Sequence, residues 1–181
     1  MAEPLNHVQA AGEVAGELAA IGLRPVLVGG MALVILGSRR VTRDFDFVIP
    51  HPGAQLAEVV QILYTHGLEL VSRLDGAGNV VATIDNRAVA AARIRLDKPA
   101  SVYFYNPNTG LRIDLLFDFP IEAASLAGRA TRLKITSHVF DIASDEDLLT
   151  LKRIAAAARS VPGDADDIAF LESRLRSSTS T

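Results

Sequence analysis

Asp44 and Asp46, set one residue apart in Arg43-Asp-Phe-Asp-Phe-Val48, are the first side chains here with a spacing that suits chemistry. In an extended segment side chains alternate, so the two carboxylates share one face while Phe45 and Phe47 take the other. Carboxylates held that close repel each other and lose hydration, which is costly unless a hard divalent cation satisfies their oxygens. Thirteen residues lie between Gly30 and Asp44, and Gly29-Gly30 ends the apolar run Pro25-Val-Leu-Val28. Mg2+ on the acids, beside backbone N–H groups able to cradle phosphate, implies chemistry on a nucleoside triphosphate. A third acid, Asp114, stands in Leu111-Arg-Ile-Asp-Leu-Leu-Phe117, a strand that puts Arg112, Asp114, Leu116 and Asp118 on one face. Each signal alone has a plain reading: Gly-Gly is a common strand-to-helix turn, and Asp-x-Asp suits an exposed edge strand. Their combination with the third acid carries the functional one. Asp118, just before Phe119-Pro120, reads as a cap on the strand end, and Arg112 as a partner for an acid.

These residues need elements to hold them. Leu5, Val8, Ala11, Val14, Leu18 and Ile21 recur at helical spacing and predict an amphipathic helix ending at Gly22. A short buried strand over 25–28 leads into a helix over 29–36 with Gly37 as its stop. The acidic strand runs to Ile49, a helix is expected over 55–66, and a strand over 68–71. Residues 73–79 read as a loop, 88–92 as helix, and 92–96 as a candidate strand. Val102-Tyr-Phe-Tyr105 and Leu111 to Phe117, joined by Asn106-Pro-Asn-Thr-Gly110, predict a β-hairpin in which the aromatics pack the strand. An extended piece over 133–140 precedes helices over 145–158 and 164–175, separated by Ser160-Val-Pro-Gly163.

With 181 residues, 49% of them hydrophobic, the chain is long enough to bury a core without staples. It has no cysteine, which excludes disulfides, thiolate metal sites and a cysteine nucleophile. Met1-Ala-Glu-Pro-Leu-Asn-His7 lacks the basic start and apolar run of a signal peptide, and no stretch reaches membrane-spanning length, so a cytoplasmic protein without membrane partners is expected. The net charge of -3 gives no global field for nucleic acid. Arg39, Arg40 and Arg43 form a local basic group by the acid pair, whereas Arg129, Arg132 and Lys134 read as solvated surface. His7, His51, His66 and His138 lack ligand spacing.

Gly29-Gly30, then Asp44-x-Asp46, then an acid on a later strand resembles the polymerase-beta-like nucleotidyltransferase superfamily. Within it, Arg40-Val-Thr42-Arg-Asp44-Phe-Asp46 is similar to small bacterial nucleotidyltransferases related to AbiEii-type toxins, whose helical tail carries a Lys, an Arg and paired acids, matched by Lys152, Arg159, Asp164 and Asp167. The resemblance spans roughly residues 25–50, 110–118 and 145–172. It implies an α/β fold of the α+β kind, a mixed sheet flanked by helices. The catalytic core would cover residues 1–120, a mainly helical part 121–176, and a frayed tail 177–181. It also implies magnesium-dependent transfer of a nucleoside monophosphate from ATP or another triphosphate to an acceptor hydroxyl. Asp44, Asp46 and Asp114 would hold the metal, with Asp114 on the acceptor side. Gly29, Gly30 and Arg40 would meet phosphate, Thr42 would order the turn, and Lys152 and Asp164 would join the catalytic set. For Lys152 an exposed helix face, and for Asp164 a helix cap, explain the residue equally well.

Asp44-Phe-Asp46-Phe-Val48 also fits the Asp-x-Asp-x-Val pattern of haloacid-dehalogenase-type phosphatases, but those need the apolar run before the first Asp and here it follows. The other alternative is an inactive nucleotide-binding or antitoxin-like module, against which three crowded acids argue. Relatives of this fold modify transfer RNA ends, proteins and aminoglycosides, and fold does not choose among them. Subgroup likeness favours an RNA end or a protein, and it implies a cognate antitoxin as a further partner.

Overall fold

The computed structural model describes residues 4–159 and 161–180. The readings of Met1 to Glu3, the Leu5 side chain, Ser160 and the end of the tail at Thr181 fall outside what is described. In chain order the elements are α1 (Pro4–Ala20), β1 (Val26–Val28), α2 (Gly29–Ile35), β2 (Asp44–Ile49), a 3-10 turn at Gly53–Gln55, α3 (Leu56–Thr65), β3 (Glu69–Leu74), β4 (Val80–Ile84), α4 (Arg87–Asp97), β5 (Ser101–Tyr105), β6 (Arg112–Phe117), α5 (Ala123–Arg129), β7 (Thr131–Ile135), β8 (His138–Ile142), α6 (Asp145–Ala158) and α7 (Asp164–Ser178). The eight strands form one mixed sheet in the order β4-β3-β5-β6-β2-β1-β8-β7.

β1 is buried at all three residues because it lies inside the sheet, antiparallel to β2 on one side and parallel to β8 on the other. β2 pairs in parallel with β6, placing Phe45 beside Ile113 and Phe47 beside Leu115. These four side chains and Phe104 of β5 are almost wholly removed from water. α1 presents Ala11, Val14 and Leu18 to the core, and its end is closed at Gly22 (φ 85°), where Leu23 N–H reaches Leu18 O at 3.0 Å. α6 begins under Ser144, whose hydroxyl accepts from Asp147 N–H at 3.1 Å. No helix among the described residues is long and apolar enough to cross a membrane.

Three local expectations change. Residues 92–96 are helical, not extended: the Asn86 side chain accepts from Ala88 and Val89 N–H, and Ala90, Ala91 and Ile94 bury one face of α4. The loop of 73–79 shortens to 75–79, where the Asp75 carboxylate accepts from Ala77 and Asn79 N–H at 2.9 and 2.8 Å and turns β3 into the unexpected strand β4. The extended piece at 133–140 is two strands, reversed at Thr136 (φ 57°).

The substitution Phe45→Ala should cost about 3–5 kcal/mol, read as a lower midpoint in urea unfolding. A loss below about 1 kcal/mol would contradict the burial of this ring beneath the acidic face.

Candidate active site

The parallel pairing of β2 with β6 sets Asp46 directly beside Asp114, and Asp44 beside Arg112. Neighbouring strands lie about 4.8 Å apart, so Asp46 and Asp114 are crowded by the sheet itself. One strand further, Tyr103 of β5 pairs with Asp114. A row Asp46, Asp114, Tyr103 therefore crosses three strands on one face, over a floor of Phe45, Ile113 and Phe104. The aromatic run thus divides: Phe104 packs the core, but Tyr103 and Tyr105 belong to the acidic face. Arg112 bridges out of this row, with Nη1 3.9 Å from Asp44 Oδ2 and Nη2 donating to Gly78 O at 2.8 Å. Asp118 leaves it: its carboxylate accepts from His51 N–H at 2.8 Å and Ala123 N–H at 2.9 Å, tying the strand end to α5.

The diglycine comes in from the other side. Val28 pairs with Asp46, and a Cβ on Gly29 (φ 70°) would stand 2.2 Å from Asp46 Oδ2. A Cβ on Gly30 would stand 2.6 Å from Arg40 Nε. Gly29 needs glycine, because its φ is positive and the Asp46 carboxylate lies directly against its backbone, whereas at Gly30 an added Cβ would meet the movable guanidinium of Arg40. α2, only seven residues long, has no side-chain cap on its first N–H groups. Thr42 Oγ1 accepts from Asp44 N–H at 3.4 Å, a long contact within the turn that delivers the acidic strand.

A charged cluster from the C-terminal helices closes this flank. Asp167 Oδ2 receives Arg40 Nη1 and, at 2.8 Å, Lys152 Nζ, which is also 3.7 Å from Asp164 Oδ1. Lys152, Asp164 and Asp167 are all buried, so Lys152 is not on an exposed helix face. Asp164 is the first residue of α7 rather than its cap, and its Oδ2 is buried without a hydrogen-bond partner. The structure thus brings Gly29, Gly30, Arg40, Thr42, Asp44, Asp46 and Asp114 to one region, linked through Arg40 to Lys152, Asp164 and Asp167. Away from it, Arg129 and Arg132 pair with Asp147 and Asp141, and His66 and His7 hydrogen-bond to Glu17 and the Thr109 carbonyl.

Burial pushes Asp44 above the usual carboxylate range, opposed by Arg112 and Arg40. Asp46 is pushed up to about 6 by burial and then by Asp44, with Lys152, Arg40 and Arg159 pulling the other way. Asp114 is pushed up to about 8 by burial and by the charges of Asp46 and Asp44. Its Oδ1 is buried with no hydrogen-bond partner. The Tyr103 phenol is raised to about 12, by burial first and then by Asp114, Asp46 and Asp44. An orphaned carboxylate oxygen beside a second acid fits a hard divalent cation. Among the described residues no three acids or histidines close around one point as a complete metal cage. A cation bound here would draw its remaining oxygens from phosphate and water.

No family model matches the chain, and a search of curated proteins returns no match. Solved structures do. The antibiotic-resistance factor ANT(2'')-Ia, in complex with adenylyl-2''-tobramycin, aligns at 14% identity with a TM-score of 0.58, covering 94% of this chain and 90% of its own. The chain has the nucleotidyltransferase fold. The lincomycin-bound lincosamide antibiotic adenylyltransferase LnuA gives a TM-score of 0.56 at 13% identity, over 91% and 96% of the two chains. A nucleotidyltransferase-like protein from Paracoccidioides brasiliensis gives 0.57 at 18%, over 90% and 73%. At these identities the likeness speaks for the nucleotidyltransferase fold alone.

Because the folded values of Asp46 and Asp114 lie above the unfolded value, each favours the folded state below about pH 4, and that contribution fades as pH rises through about 6 and 8. Without divalent cations, Asp114→Asn should therefore raise the melting temperature at pH 8 by at least about 3 °C, with a smaller gain at pH 5. Equal gains at both pH values would contradict the crowding.

Proposed function

We propose that this chain transfers a nucleoside monophosphate from a nucleoside triphosphate to an acceptor hydroxyl and releases pyrophosphate. The observation that supports this most directly is Asp46 set beside Asp114 on parallel strands with the Gly29 backbone against Asp46. Asp44, Asp46 and Asp114 would hold Mg2+, which when bound neutralises charge on the triphosphate and the departing pyrophosphate. Gly29 and Gly30 let the backbone approach phosphate closely, and Arg40 lies over Gly30 to meet the same group. Lys152 is held on that flank by Asp167 and Asp164.

In the transfer, the acceptor oxygen bonds to the α-phosphorus as the bond to the bridging oxygen breaks. Pyrophosphate leaves with that electron pair. The hydroxyl proton passes to the Asp114 carboxylate, on the acceptor side of the site. A module that only held nucleotide would gain nothing from burying this third acid, so the inactive alternative is disfavoured. The likeness of Arg40 to Asp46 to AbiEii-type toxins places a cognate antitoxin among the partners to test.

Asp46→Asn should lower label transfer from α-labelled triphosphates by at least about 100-fold, and chelation should abolish it until Mg2+ is restored. Transfer persisting in this variant would remove the proposed centre. Gly29→Ala should weaken Mg-ATP binding at least about tenfold, since its Cβ takes the space of the Asp46 carboxylate; calorimetric titration reads this directly.

A further inference from the structure

Resting on the transferase reading, we propose that the β3–β4 hairpin is an arm closed over the acceptor side of the acidic face, and that Arg112 is the positioning residue that holds it there. The sheet order assigns the sides. Gly29 meets Asp46 from β1, and β1 and β5 lie on opposite sides of the β2–β6 pair. In phosphoryl transfer the attacking and leaving oxygens stand roughly in line across the phosphorus. With the leaving group beside the diglycine and Arg40, the acceptor lies toward β5, over Asp114 and its strand neighbour Tyr103.

The path of the hairpin puts its tip above that place. Glu69 opens β3 beside Tyr105, which pairs in turn with Arg112, and Leu70 lies beside Phe104. β3 therefore runs from the level of Arg112 toward that of Asp114 and beyond. A straight β3 would carry Leu74 about 16 Å along the sheet and two strands aside, out of reach of Arg112. Yet Arg112 Nη2 donates at 2.8 Å to the carbonyl of Gly78, in the turn after β3. Arg112 lies on the face of Asp44 and Asp114, so the hairpin folds back across the acids. It bends at the register shifts Val71/Arg73 and Arg73/Leu74.

Base and tip are held differently. At the base, the Tyr64 hydroxyl accepts from Leu70 N–H at 3.1 Å and donates to the Ile84 carbonyl. Beyond the bend, residues 72–79 are exposed. Among the described residues, the Arg112 bond is the one hydrogen bond that reaches this stretch from outside the hairpin. The Asp75 carboxylate keeps the shape of the turn through Ala77 and Asn79 N–H, so the tip is a formed turn on a single external tether. The other end of that tether rests against Asp44 at 3.9 Å, which aims the guanidinium. One charged hydrogen bond on a solvated arm permits local opening without global unfolding. Open, the arm admits the acceptor; shut, it covers Asp114 and Tyr103 and keeps water from the attacking position.

The test is hydroxyl-radical footprinting of the full chain at Tyr103, with amide hydrogen exchange over residues 75–81, on the wild type, Arg112→Ala, Arg112→Lys and Asp75→Ala. Arg112→Ala should speed exchange of the tip at least about tenfold and raise Tyr103 oxidation at least about threefold, with Tyr64 oxidation unchanged. Arg112→Lys, whose ammonium keeps a donor for one partner, should restore part of the protection. Asp75→Ala breaks the turn without touching the acids, so it should expose Tyr103 as well while Mg-ATP affinity stays within about twofold. Tyr103 oxidation unchanged in Arg112→Ala would overturn the proposal. So would a rise in Arg112→Ala that is absent in Asp75→Ala, because the change would then come through Asp44 and not through the arm. Calorimetric titration with Mg-ATP separates this from the transferase reading: no binding to the wild-type chain sinks that reading and leaves the tether standing on its exchange result. Binding to the wild type that weakens at least about tenfold in Asp75→Ala places the arm over the nucleotide and overturns the assignment of sides.

Discussion

Parallel pairing between β2 and β6 forces Asp46 and Asp114 side by side, and no movement short of breaking that ladder separates them. The apolar layer beneath is what makes this tolerable in a folded chain. Phe45, Phe47, Ile113 and Leu115 bury the opposite face of the same two strands, so the burial that builds the core also holds the acids in register. A one-residue slip would send both carboxylates into that core, which excludes it. The cost is visible in the elevated Asp46 and Asp114, whose charges are paid for only when a cation or a proton arrives.

On the diglycine side the balance is reached by ion pairing. Arg40 and Lys152 converge on Asp167, so two cations beside the acidic face are held in place before any anion binds. A buried carboxylate shared by two cations fixes both, and removing it would leave the buried Lys152 with Asp164 alone while the exposed Arg40 lost its anchor. The helices α6 and α7 are thereby fastened to the loop that precedes β2, although they are far from it in sequence.

Much of this was legible in the residues. The hairpin β5–β6 and the limits of α6 follow from turn residues and apolar spacing, and alternation alone puts Asp44 and Asp46 on one face. The lateral neighbours were not legible, because alternation says which face a side chain takes and nothing about which strand lies alongside. Tyr103 was for that reason read as packing. Arg40 and Asp167 are 127 positions apart, so their contact has no local signal. β4 was missed because Val80-Val-Ala-Thr-Ile84 sits at the sheet edge and is half exposed, while α4 overran its expected end because Ile94 buries where a strand was expected.

The place of β1 has a consequence for how the molecule is made. This three-residue strand, which leads into the diglycine turn, is flanked by β2 on one side and β8 on the other. β8 ends at Ile142, more than a hundred residues downstream. During synthesis the hydrogen-bonding edge of β1 therefore stays open until most of the chain has left the ribosome, and assembly of the centre is a late event rather than one that proceeds from the N-terminus.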